Sequence, residues 1–163
     1  MYGLLIEKMK SGYFTNLKEV FDVLGNNVKK YNWLLSYYDC SIYPSDKIPF
    51  AELFVWLSGD ELANTLEEHE IPFIWGVLTS YEKEISLEEV MQYPLPYADG
   101  YEGFWKPEIT MQNPLADIEI VPWDSTLLIV SSRKKEIICK FANEYPDSID
   151  LAEHNERIVE SKD

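Results

Sequence analysis

The chain offers few side chains able to do chemistry. Its two histidines, His69 and His154, both sit among acids, and neither stands in a pattern with Cys, Ser or Asp that would pair a nucleophile with a base. HExxH, GxSxG, Walker and GxGxxG patterns are absent from the sequence. Two histidines and scattered carboxylates also lack the spacing of a metal site. No catalytic residue, metal or cofactor is therefore assigned. Paired carboxylates are what remains. Asp117 and Glu119 project from one face of an alternating strand, and Asp99 and Glu102 lie in an aromatic-rich stretch. Glycoside hydrolysis needs two carboxyls at a set separation with aromatic platforms for the sugar. The composition is present, but composition does not fix a separation in space.

Two constellations suit binding better than catalysis. Residues 97–105 read Tyr-Ala-Asp-Gly-Tyr-Glu-Gly-Phe-Trp. Asp99-Gly100 favours a tight turn, and tyrosine and tryptophan beside acids are the material of binding hot spots. The same rings could instead cover the open end of a sheet. The second constellation is Trp123-Asp124-Ser125, where Asp124 either closes a turn or marks a site. The candidate binding residues are thus Tyr97, Asp99, Tyr101, Glu102, Trp105, Glu119 and Asp124.

Charge narrows the partner. The net charge is −15 and uneven: residues 46–124 carry seventeen acids against three lysines, whereas residues 1–45 carry four acids against five. A field of that sign repels nucleic acid and anionic lipid and steers a basic protein inward. It also serves solubility alone. No stretch approaches the roughly 18–20 apolar residues of a membrane helix. The N-terminus lacks the pattern of a signal peptide, so a cytoplasmic location is expected. Cys40 and Cys139 are far apart and read as two buried free thiols.

These residues must be positioned by a fold whose elements are largely visible. Residues 71–78, Ile-Pro-Phe-Ile-Trp-Gly-Val-Leu, form the longest nearly unbroken apolar run, as expected of a central strand covered on both faces. Gly76 inside it points to a bulge or a close backbone approach. Further strands are expected at 2–7, 31–38, 52–57, 116–121 and 126–130. In the second of these, Tyr31, Trp33, Leu35 and Tyr37 share one face. The fourth alternates apolar with acidic residues and reads as half-exposed. Capping boxes at Asn16, Ser58 and Ser86 open helices, and Ser132 caps another over 133–143. The cations Arg133, Lys134 and Lys135 at its start oppose the helix dipole, which suggests another use for them. Turns or loops fall at 8–13 and 39–49. Residues 93–115, with four prolines and two glycines, have no period.

The pattern defines an α+β protein: a single mixed or mostly antiparallel sheet of about six strands with three to four helices packed on it. Residues 1–163 form one domain, with the tail after about 147 loosely packed. Several stretches, among them Tyr31-Asn32-Trp33-Leu34, Phe73-Ile74-Trp75-Gly76-Val77, Leu95-Pro96-Tyr97-Ala98-Asp99-Gly100 and residues 119–125, resemble a group of small uncharacterised single-domain bacterial proteins, mainly from Gram-positive species. The resemblance implies a bacterial cytosolic protein and carries over no activity. The function expected is that of a non-enzymatic acidic binding protein of the immunity type, which neutralises a basic partner protein. The alternative is a small-molecule-binding domain or hydrolase whose pocket is built from Trp33, Tyr37, Trp75 and Trp105 with Asp39 or Glu119.

Overall fold

The computed structural model describes residues 1–12, 15–43 and 46–161; the end of the 8–13 turn, Pro44 and Ser45 of the 39–49 loop, and the last two residues of the tail lie outside them. One open antiparallel sheet gathers β1 (Tyr2–Ile6), β2 (Thr15–Asn16), β3 (Tyr31–Cys40), β4 (Phe54–Ser58), β5 (Pro72–Glu82), β6 (Ile118–Trp123), β7 (Leu127–Ser132) and β8 (Ile149–Asp150). The strands run in the order β4-β3-β5-β6-β7-β1-β8, with β2 pairing on the end of β5. The α-helices among the described residues are α1 (Leu17–Leu24), α2 (Gly59–Glu68), α3 (Leu87–Val90), α4 (Lys135–Glu144) and α5 (Leu151–Glu160). The α+β class and the single sheet agree with expectation. The elements beyond the expected number are β2, β8 and α5, and two-residue strands are too short to show a period.

The apolar run of β5 lies between β3 and β6, with Val77 and Leu78 both fully buried. One face of the sheet is covered by α1, α2 and α4, which pack Phe21, Leu62 and Phe141 against Trp33, Leu35 and Ile120. Trp33 donates its indole N–H to the Val28 carbonyl at 3.0 Å. The other face is covered mainly by irregular chain. There Ala98 and Phe104 pack on Val77 and Val121, while Val90 and Met111 pack on Leu34 and Tyr81.

Capping chemistry fixes the helix starts. Ser58 and Ser86 form complete capping boxes with Glu61 and Glu89. Asn16 caps α1 through the Lys18 N–H, but Glu19 does not reach back to it. Its carboxylate instead accepts from the Lys10 and Ser11 N–H groups and from the Tyr145 hydroxyl, tying the 8–13 turn to the end of α4.

Four expectations are corrected. Tyr37 does not share the face of Tyr31, Trp33 and Leu35. Ser36 pairs with Val77 and Asp39 with Trp75, so Tyr37 and Tyr38 together oppose Gly76 in a β-bulge. The extra residue shifts the phase: Tyr38 joins the inner cluster and Tyr37 turns outward at φ 44°. Next, α4 begins at Lys135, with Lys134 at its N-cap and no side-chain cap; Ser132 lies two residues before that position, where its hydroxyl accepts the Lys134 N–H and donates to the Asp117 carbonyl. The described part of the tail, to residue 161, is not loose. Ile149 and Asp150 pair with Leu5 and Leu4, Asp150 caps α5, and Leu151 and Asn155 are fully buried. Finally, Cys40 is buried but Cys139 is exposed.

The cations before α4 have the separate use their position suggested. Arg133 donates to the Ala116 and Pro114 carbonyls at 2.8 and 2.6 Å. Lys134 pairs with Asp117 at 2.6 Å and donates to the Tyr31 hydroxyl at 2.9 Å. Together they clamp the segment entering β6.

Gly59, the first residue of α2, marks a close backbone approach. A Cβ there would overlap the Val28 carbonyl and meet Lys29 Cα at 2.7 Å and Tyr31 O at 2.8 Å. Backbone on that side cannot rotate away as a side chain can. Gly59→Ala is expected to lower the urea midpoint by an amount equivalent to about 1–3 kcal/mol, and an unchanged midpoint would show that α2 and residues 25–30 pack more loosely than this.

Candidate functional site

The bulge in β3 places an exposed tyrosine beside the irregularly covered face. Tyr37 is 46% exposed, and its N–H donates to the Leu53 carbonyl at 2.9 Å, just ahead of β4. Tyr97, 42% exposed, meets Tyr37 edge-on with ring centroids 6.4 Å apart. With half-buried Trp75, Ala98 and Asp99 they line a shallow groove of about 390 Å³. Leu53, 60% exposed, extends the apolar surface beside Tyr37. Exposed Asp39, paired in register with Trp75, and exposed Glu52, adjoining Leu53, add carboxylates around it. A bulky residue at positive φ is strained and persists where its surroundings fix it. Here the bulge and the Leu53 bond hold it.

Behind the groove the rings continue inward. Tyr97 touches Tyr101 at 5.4 Å, Tyr101 touches Phe104 at 4.7 Å, and Phe104 touches Trp123 at 5.9 Å. Trp123 in turn meets Trp75 at 4.9 Å and Trp105 at 5.2 Å. These are edge-to-face contacts, each contributing about 0.5–1.5 kcal/mol beyond area burial. They make residues 96–112 an ordered strap across the sheet.

Polar side chains supply the hydrogen bonds that irregular backbone cannot make for itself. Ser36 donates to the Pro96 carbonyl at 2.6 Å. The Gln112 amide bonds the Tyr97 N–H and carbonyl at 3.0 and 2.9 Å. Asn155 on α5 donates to the Phe104 and Lys106 carbonyls, both at 2.8 Å. Asn113 donates to the Val90 carbonyl at 3.2 Å.

Glu119 lies beneath this strap. Strand 116–121 is not half-exposed as its alternation implied, and Glu119 is 1% exposed. It sits in register between Thr79 on β5 and Ser131 on β7, at mid-sheet. Its Oε2 accepts the Gln112 N–H at 3.3 Å, and Oε1 has no partner. Burial pushes its pKa up to about 7, against the weaker opposing effect of the Gln112 bond. Burial also raises the pKa of the Tyr81 and Tyr101 phenols, and the Glu119 charge raises both further.

The structure brings together only some of the residues singled out from sequence. Tyr97 and Asp99 line the groove; Tyr101 and Trp105 are half-buried behind it. Glu102 is exposed on the 3₁₀ turn Glu102–Trp105, away from the groove lining. Asp124 is exposed and, with Ser125, forms the tight turn between β6 and β7 at φ 48° and 55°. Trp33 is buried on the helix-covered face, so it does not join Tyr37, Trp75 and Trp105 in one pocket. Asp117 is paired with Lys134, so it is not a free partner for Glu119. Among the described residues no group of three His, Cys, Asp or Glu is placed to hold a metal ion, and no helix is long and apolar enough to cross a membrane. Gln112 and Asn155 escaped sequence reasoning, and Tyr37 was expected only in a pocket with Trp33, Trp75 and Trp105, not as an exposed ring. Gly76, opposite the bulge, was the one available signal for Tyr37.

No family model, curated protein or solved structure matches the chain. The groove and the buried acid are thus the features from which a function must be argued.

Tyr101 can reach its place because residue 103 has no side chain; a Cβ on Gly103 would fall on the Tyr101 ring and hydroxyl. Gly103→Ala is expected to displace that ring, reduce the near-UV aromatic circular dichroism, and cost about 1–3 kcal/mol in urea unfolding. A variant with the wild-type near-UV spectrum would show that the ring stack is not fixed in this way.

Proposed function

We propose that the chain is a non-enzymatic, cytoplasmic binding protein that holds a basic protein partner through the Tyr37–Tyr97 groove, as an immunity-type protein holds its toxin. The observation that carries this is the pairing of two half-exposed tyrosines in edge contact beside Leu53, with Asp39, Glu52 and Asp99 around them. Among the described residues none of these three acids is engaged in an ion pair. Rigid rings supply anchors at low entropic cost, and unpaired rim carboxylates supply steering. The seventeen acids of residues 46–124 extend that field beyond the groove.

The partner to test is the purified product of the adjacent gene, with binding followed by surface plasmon resonance. Tyr37→Ala and Tyr97→Ala are each expected to weaken binding by about tenfold or more, chiefly through faster dissociation. The double substitution Glu52→Gln, Asp99→Asn is expected to slow association and flatten its dependence on salt. Binding by these variants at wild-type rates in low salt would remove the groove as the docking surface.

A further inference from the structure

We propose that Glu119 is a proton-controlled clasp for the strap of residues 96–112: neutral, it lets the strap seat on the sheet, and ionised, it drives the strap to open so that water reaches the carboxylate. The geometry argues for this directly. Glu119 is the only acidic residue among the fully buried ones described, it stands at mid-sheet, and the strap is what covers it. The groups facing it are Thr79 and Tyr81 from β5, Ser131 from β7, and Tyr101 and the Gln112 N–H from the strap. None is a cation. Of the cations nearest along the chain, Lys106 is exposed on the strap, Arg133 donates to the Ala116 and Pro114 carbonyls, and Lys134 is committed to Asp117 and Tyr31. A carboxylate there has one long hydrogen bond and an oxygen with no partner, which is an expensive state for a buried charge. The cheapest relief is to lift the strap, because the other neighbours belong to the sheet.

Gln112 links this event to the groove. Its N–H contacts Glu119, and its side chain holds both backbone groups of Tyr97. Opening the strap therefore takes away the Tyr97 wall while leaving Tyr37 on β3. The effect on binding rests on the groove being the docking surface; the clasp itself does not.

The direction with pH follows from proton linkage. Closed, the carboxyl has its pKa raised to about 7; open and hydrated, it returns toward the ordinary 4.5. The closed strap binds the proton more tightly, so it is favoured most below 4.5, loses ground as pH rises to about 7, and changes no further above that. The open fraction should grow about fiftyfold between pH 5 and pH 7.5.

Amide hydrogen exchange on the full chain tests this without a partner. The Tyr97, Tyr101 and Gln112 amides, corrected for intrinsic rates, should lose protection by about fiftyfold across that interval, while a β3 amide such as Leu35 should not follow them. In Glu119→Gln, a neutral side chain of the same shape, the three amides should keep constant protection. Flat protection in the wild type, or an equal loss in Glu119→Gln, overturns the clasp. A carbon-13 titration of the Glu119 carboxyl needs no variant: a midpoint near 7 supports the proposal and one near 4.5 overturns it. If the strap opens with pH but partner affinity ignores pH, the clasp stands and the Tyr97 groove fails as the docking site.

Discussion

A sheet that is apolar on both faces must be covered twice, and that requirement shapes the whole molecule. Helices solve one face cheaply, because their backbone hydrogen bonds are internal. On the other face the cover is mostly chain without secondary structure, and each buried N–H and C=O there needs an external partner. The side chains of Ser36, Gln112, Asn113, Asn155 and Arg133 meet that need, reaching from strand, strap, helix and loop. They come from positions far apart in sequence, so the cover assembles only once the sheet exists.

The bulge at Gly76 is where this architecture acquires a surface feature. An unbulged β3 would have buried Tyr37 against the helices with Trp33 and Leu35. Inserting one residue opposite Gly76 sends Tyr38 inward to pack near Phe73 and turns Tyr37 out. Gly76 at φ 157° lets Tyr38 approach, its Cβ only 3.2 Å from where a Gly76 side chain would begin. Local twist is thereby converted into an exposed ring next to the strap. The second ring of the groove, Tyr97, is then placed by Gln112 and by contact with Tyr101.

The strap also confines Glu119 in a setting unlike that of the other acids described. Most carboxylates of this −15 chain sit in water, where their mutual repulsion is screened. Glu119 is at the centre of the sheet among hydroxyls and rings, with no compensating cation. An apolar residue at that position would fit the cover without a proton to manage. Its presence couples the state of one proton to the seating of the loop that bears Tyr97.

Sequence by itself determined the elements whose stability is local. Ser58 with Glu61 and Ser86 with Glu89 announced α2 and α3 because capping is a matter of residues three apart. The apolar run around Val77 announced a strand covered on both faces, and Gly76 announced an irregularity in it. The aromatic stretch 97–105 was visible as a stretch, though not which of its rings would face water. Tertiary structure decided the rest. Glu119 looked half-exposed because alternation is a local signal, whereas its burial depends on a strap that returns from earlier in the chain. Asp150 as a cap, Asn155 as a buried anchor and Tyr37 as an exposed ring likewise depend on partners far away in sequence. Periodicity reports which way a side chain points relative to its own backbone; only packing decides what lies in that direction.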